Sequence, residues 1–124
     1  MFFRCIRGDK WYDRGDVAAY DYTAATLTAD GEWHDLDISG IVGATRRFVL
    51  IKTYLKDNAG GKVFLMRTKG YVNDINIEHC GTIIADKTCG RSSWLYTDVN
   101  GIIQYKIDAA IWANTDLVVR GYFK

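Results

Sequence analysis

Four sets of residues in this 124-residue chain have the types and spacing that chemistry uses. His34, Asp35 and Asp37 share the run WHDLD, and Glu78, His79 and Cys80 share another. The tripeptide Arg-Gly-Asp occurs twice, at 7–9 and 14–16, and tryptophan occurs at Trp11, Trp33, Trp94 and Trp112. The histidines and acids could hold a metal if His34 and His79 converged with Asp35, Asp37 or Glu78. No zinc-binding, nucleophile-elbow or phosphate-loop motif supports them, so the expectation is no metal and no cofactor. His79 and Cys80 are adjacent in a strand-like run and point to opposite faces, which rules them out as a nucleophile–base pair. Carboxylates for sugar hydrolysis exist, as they do in any β protein, so they signal nothing. The reading is non-enzymatic, with a small hydrolase as the weakest alternative.

The tryptophans point to carbohydrate, because aromatic faces stack on sugar rings; Trp11, Trp33 and Trp94 are the glycan-stacking candidates. Against them stands ordinary burial of a large side chain on a neighbouring strand. The two Arg-Gly-Asp copies read as turns rather than adhesive tips: Gly allows positive φ, and Asp accepts backbone N–H bonds.

The elements that would carry these residues are strands. Asp30-Gly31, the turn at 58–61 and Asn100-Gly101 each separate alternating segments, the pattern of hairpins. In 32–38, Leu36 and Ile38 share a face with His34, opposite Trp33, Asp35 and Asp37. In 46–55, Val49, Ile51 and Leu55 alternate with Phe48, Leu50 and Tyr54. Both faces are apolar there, which predicts a central strand or a subunit contact with Phe48, Leu50 and Tyr54 as contact residues. Ile103, Tyr105 and Ile107 share one face of the next strand; Leu117, Val119 and Gly121 oppose Val118, Arg120 and Tyr122 in the last. The best helical stretch, 107–117, is too short to convince. About eight strands in one domain, 1–124, predict an all-β antiparallel sandwich or barrel.

Composition agrees. Hydrophobic residues are 48% and aromatics 14%, high enough to favour strands and a sticky surface. Net charge is +1, giving no field to draw nucleic acid or anionic lipid. No apolar run is long enough to span a membrane, and MFFRCIRGDK does not read as a signal peptide. Cys5, Cys80 and Cys89 make an odd count; free thiols are expected, with a Cys80–Cys89 bridge left open. Proline is absent, so turns fall to Gly, Asn and Asp.

The segment GDVAAYDYTAATLTADGEWHDLDISGIV (15–42), then GIIQYKID and LVVRGYFK (117–124), resembles a jelly-roll-like β-sandwich domain of tailed-bacteriophage and prophage virion proteins. The recurring elements fall at 29–39 with Ile41, 47–55, 103–106 and 119–122. Gly43 stands where the family usually has proline, and 80–89 has no counterpart. The resemblance implies a virion structural protein, as capsid decoration or a tail or fibre component. It would form homo-oligomers, trimers above all, contact other virion proteins and, at a fibre tip, bind a host-surface glycan. The resemblance implies no catalytic residue, and it makes 14–16 the lead-in turn of a strand.

Overall fold

Period-two burial runs through the strands of this computed structural model, which describes residues 10–109 and 112–124. The strands are β1 (Trp11–Asp13), β2 (Trp33–Asp37), β3 (Phe48–Asp57), β4 (Val63–Thr68), β5 (Glu78–Gly81), β6 (Cys89–Tyr96), β7 (Ile102–Ile107) and β8 (Trp112–Phe123). One helical turn, α1 (Ser39–Val42), follows β2. Two four-stranded antiparallel sheets form, in the orders β1-β8-β3-β6 and β2-β7-β4-β5. β1 pairs with β8, β2 with β7, β3 with β6 and β4 with β5, the nesting of one long hairpin wound around itself. That winding is a jelly roll, a sandwich of two Greek keys.

The core lies between the sheets. Val49, Ile51 and Leu55 of β3 meet Phe64 and Met66 of β4, Ile103 and Ile107 of β7, and Leu117 and Val119 of β8. β3 sits between β8 and β6, so it is the central strand that its two apolar faces predicted. Leu36 and Ile38 are buried, as their alternation required, while His34 on the same face is only half-buried near the sheet end. Asp57 closes the inner row of β3. It is fully buried, and neither carboxylate oxygen has a hydrogen-bond partner among the described residues.

Two expectations change. The turns at 58–61 and 100–101 do not close hairpins: they carry the chain from one sheet to the other, and 30–31 follows an irregular segment. Their chemistry is nevertheless as expected, since Gly31, Gly61 and Gly101 all take positive φ. The stretch 107–117, too short to convince as a helix, includes the end of β7 and, from Trp112, the start of β8, which pairs with β3. Finally, β8 carries a bulge: Leu50 pairs with Gly121 but Ile51 pairs with Val119, leaving Arg120 as the extra residue. Alternation breaks there, so Tyr122, not Gly121, joins Leu117 and Val119 in the core.

Candidate functional site

The outer face of the β1-β8-β3-β6 sheet gathers aromatic residues from all four strands. Phe48 pairs with Tyr96, Leu50 with both Trp94 and Gly121, and Trp11 with Phe123. This register sets the rings in one patch. Phe48 stacks on Trp94 with centroids 5.0 Å apart and lies 4.7 Å from Tyr96. Trp11 lies 5.5 Å from Trp94 and 5.3 Å from Phe123. Trp11, Trp94 and Tyr96 remain 40%, 42% and 42% exposed. At the margin, the Arg46 guanidinium lies 4.3 Å from the Tyr96 ring centroid and donates to the Tyr71 hydroxyl at 2.8 Å. A contiguous apolar patch of inclined rings with a cation at its edge can cover another protein surface, or stack a sugar.

The bulge makes the seat for this patch. Gly121 faces outward, and the Trp11 indole lies over it so closely that a Cβ there would lie 2.6 Å from Cη2, nearer still to Cζ2, and 2.5 Å from the Tyr12 carbonyl oxygen. No larger residue fits beneath Trp11 without moving β1.

The other candidates are dispersed. Trp33 lies on the opposite sheet, with the Arg67 guanidinium 3.8 Å from its ring centroid, so a protein cation already occupies that ring face. Tyr54 sits farther along the outer face of β3, edge-on to Tyr20 at 5.8 Å. Trp11, Trp94 and Phe48 are brought together. Tyr96, Phe123 and Arg46 complete the patch but were not singled out by the sequence; the bulge hides the side Phe123 takes, and Arg46 reads as a solvated charge.

The acids of WHDLD serve local structure. Asp35 accepts from Lys69 at 2.6 Å and from Gln104 at 2.8 Å, and these bonds, Lys69 first, hold its carboxyl below the usual range. Asp30 lies 2.8 Å from His34 Nε2, which lowers it likewise. Asp37 is lowered by hydrogen bonds from Ser39. His79 is exposed and Cys80 buried, on opposite faces of β5; with Cys89 and Arg91 they line a hollow of about 360 Å³. Cys80 and Cys89 are both free thiols. Cys80 Sγ lies 3.6 Å from Ser93 Oγ, and Cys89 is four residues farther along that strand, about 13 Å. No group of three or more His, Cys, Asp or Glu among the described residues converges to hold a metal.

The second Arg-Gly-Asp is a turn, as expected. Gly15 takes φ 77°, and its N–H donates to Asp13 Oδ1 at 2.8 Å. Arg14 Nη1 donates to Asp21 Oδ2 at 2.6 Å and to the Val119 carbonyl at 2.8 Å. An arginine so engaged is not an adhesive tip. The first copy, 7–9, and Cys5 lie outside the described residues.

No protein-family model matches the chain, and no curated protein matches it. Among solved structures, the Tobacco streak virus coat protein dimer is similar over 94% of this chain and 82% of that one, with 10% identity and a TM-score of 0.38. No helix among the described residues is long and apolar enough to cross a membrane.

Proposed function

We propose that the chain is a non-enzymatic structural protein of a virion, of the tailed-phage type, and that it acts by mating the aromatic sheet face to protein neighbours, copies of itself first. The observation that carries this reading is the contiguous outer patch of Trp11, Phe48, Trp94, Tyr96 and Phe123. Water gains by the covering of such a patch, and interface cores are enriched in Trp, Tyr, Phe and Arg. The jelly roll supports it at the level of fold: virus shells use this architecture, and lectins use it too, so the face rather than the fold must decide. The sequence resemblance adds the particle type.

The patch suits the centre of an interface. Three rings about 40% exposed leave roughly 100 Å² each, on the order of 300 Å² together. A standard contact buries about 800 Å² per partner, so a polar rim that includes Arg46 would supply the rest. Light scattering after size-exclusion chromatography tests this. The parent is expected to run as a trimer or larger, and Trp94→Glu as a monomer with unchanged circular dichroism. A parent that stays monomeric at high concentration, and is absent from purified particles, would sink the reading.

One observation favours a second reading. Trp11 and Trp94, 5.5 Å apart and inclined at 57°, form an angled pair of part-exposed indoles whose faces are available to stack a sugar ring. A glycan array that lights up with the parent and goes dark with Trp94→Ala, on a monomeric protein, would put glycan recognition in place of assembly.

A further inference from the structure

A cavity of about 480 Å³ opens at the other end of the same sheet face, beneath the segment 17–20. Its floor is Val118 with Lys52 and Arg120, from the paired strands β8 and β3; Tyr54 and Tyr20 form one corner. Its volume is that of a small-molecule site. We propose that this cavity binds a sugar ring carrying an anionic group. The inference stands apart from the assembly reading, because none of these residues belongs to the aromatic patch.

Two features carry the chemistry. The first is unspent positive charge. Neither Lys52 nor Arg120 makes an ion pair among the described residues. The contacts they make are weak ones: Lys52 Nζ lies 5.0 Å from the Tyr54 ring centroid, and Arg120 Nη1 lies 3.4 Å from the Gly15 carbonyl oxygen. Asp116, opposite Tyr54 in the register, acts electrostatically on Tyr20, and Asp16 adjoins the cavity wall at Val17, yet neither pairs with Lys52 or Arg120. A guanidinium fork and an ammonium together match a carboxylate or phosphate oxygen pair. The second feature is the aromatic corner. Tyr20 and Tyr54 meet edge to face at 71°, offering a ring face for sugar C–H groups and phenol hydroxyls for sugar hydroxyls.

The wall of the cavity is fixed before any ligand arrives. Segment 17–20 is tied at one end by Arg14, which bonds Asp21 and the Val119 carbonyl. At the other end the Asp21 and Tyr22 N–H groups both reach the Leu117 carbonyl, at 2.9 and 3.1 Å. Asp21 Oδ2 also takes the Val119 N–H at 2.8 Å. A site held open this way loses little entropy on binding.

The experiment is ligand-observed saturation-transfer NMR, with calorimetry, on the full chain. The probes are D-glucuronate, D-glucose 6-phosphate, D-glucose and inorganic phosphate. Glucuronate or glucose 6-phosphate is expected to bind, with glucose and inorganic phosphate at least about tenfold weaker. The stronger of the two acids tells whether the anion is a carboxylate or a phosphate. Arg120→Lys, which keeps the charge but loses the fork, and Lys52→Gln should each weaken binding about tenfold, and Trp94→Ala should leave it unchanged. Three results would overturn the proposal: glucose binding as tightly as the acids, inorganic phosphate binding as tightly as the sugar acids, or no binding of any probe at tens of millimolar. Binding lost in Trp94→Ala but kept in Lys52→Gln would move the ligand to the aromatic patch and overturn it equally.

Discussion

Gly121→Ala should destabilise the protein, against the usual sign for such a change. Glycine within a strand is worse than alanine by about 0.5–1 kcal/mol, because it gives up more freedom on folding. Gly121 does not have positive φ, so its backbone would accept a side chain, and propensity alone predicts a gain. The packing says otherwise. The new methyl would lie 2.5 Å from the Tyr12 carbonyl oxygen and 2.6 Å from Trp11 Cη2, where ordinary contact begins at 3.4 Å. The carbonyl belongs to the backbone of β1, so a rotamer change cannot relieve it; β1 must retreat by close to an ångström. Overpacking of this kind costs about 1–3 kcal/mol, which exceeds the propensity gain. The net expectation is a loss of about 1–2 kcal/mol, read as a lower urea midpoint at unchanged slope. Tryptophan emission should shift to the red as Trp11 leaves Trp94 and Phe123. In a Trp11→Ala background the same change should cost less, because the ring is gone while the Tyr12 oxygen remains. A Gly121→Ala protein as stable as its parent, or more so, would mean that Trp11 does not lie on Gly121, and the patch as described would fall with it.

Arg14→Ala should remove about 1.5–3 kcal/mol, because the side chain makes charge-assisted bonds to Asp21 and the Val119 carbonyl in a partly buried setting; a loss below about 0.5 kcal/mol would return 14–16 to the status of a free turn. Asp57→Leu should stabilise by about 1–3 kcal/mol, since it replaces a buried carboxyl with no hydrogen-bond partner among the described residues by an apolar side chain of similar size; destabilisation in urea would show that the carboxyl is engaged. The Asp35–Lys69 pair predicts a pH window. The Asp35 carboxyl is lowered and the Lys69 ammonium raised in the folded state. The carboxyl therefore contributes stability above its unfolded value, near about 3.9, and loses it as pH falls through the lowered folded value. The ammonium contributes below its unfolded value, near about 10.4, and loses it as pH rises through the raised one. Lys69→Met should trail the parent between these limits and close the gap toward acid; a gap unchanged at about pH 2 would refute it.

Strands and turns were legible in the sequence, and strand partners were not. Alternation placed Leu36 and Ile38 on the core face and grouped Val49 with Ile51, and Ile103 with Ile107, on one face of their strands; all six are buried. Asn-Gly and its relatives marked the turns but not what the turns join. A tight turn has the same local chemistry whether the next strand pairs with the last or crosses to the other sheet; in a jelly roll the pairing that decides is between residues far apart in the chain, such as Trp11 with Phe123. The aromatic patch was legible residue by residue, through Trp11, Trp94 and Phe48, but not as a unit, because it depends on that long-range register. The cavity gave no signal. Val17, Ala18 and Ala19 have no pattern, and their role comes from the anchoring of Arg14 and Asp21 on β8.

The bulge at Arg120 ties the two outer-face features to the core. Without the extra residue, alternation along β8 would put Gly121 in the core row and Tyr122 on the outer face. With it, Tyr122 turns inward to face Val49 across the pair, and both Arg120 and Gly121 are left facing outward. Gly121 then gives the Trp11 ring a floor with no side chain on it, and Arg120 brings its guanidinium to the cavity beside Lys52. A glycine is therefore required immediately after the bulged residue by packing against β1, and a cation at the bulge is free to serve a ligand because no core position depends on it. The run Val-Arg-Gly-Tyr at 119–122 thus holds, in four consecutive residues, a core contact, a cavity cation, an aromatic seat and a second core contact. Bulges bend and re-aim strands and set particular side chains on a chosen face; here one bulge leaves a glycine beneath Trp11 and an arginine at the cavity, while the same strand keeps its place inside the sheet.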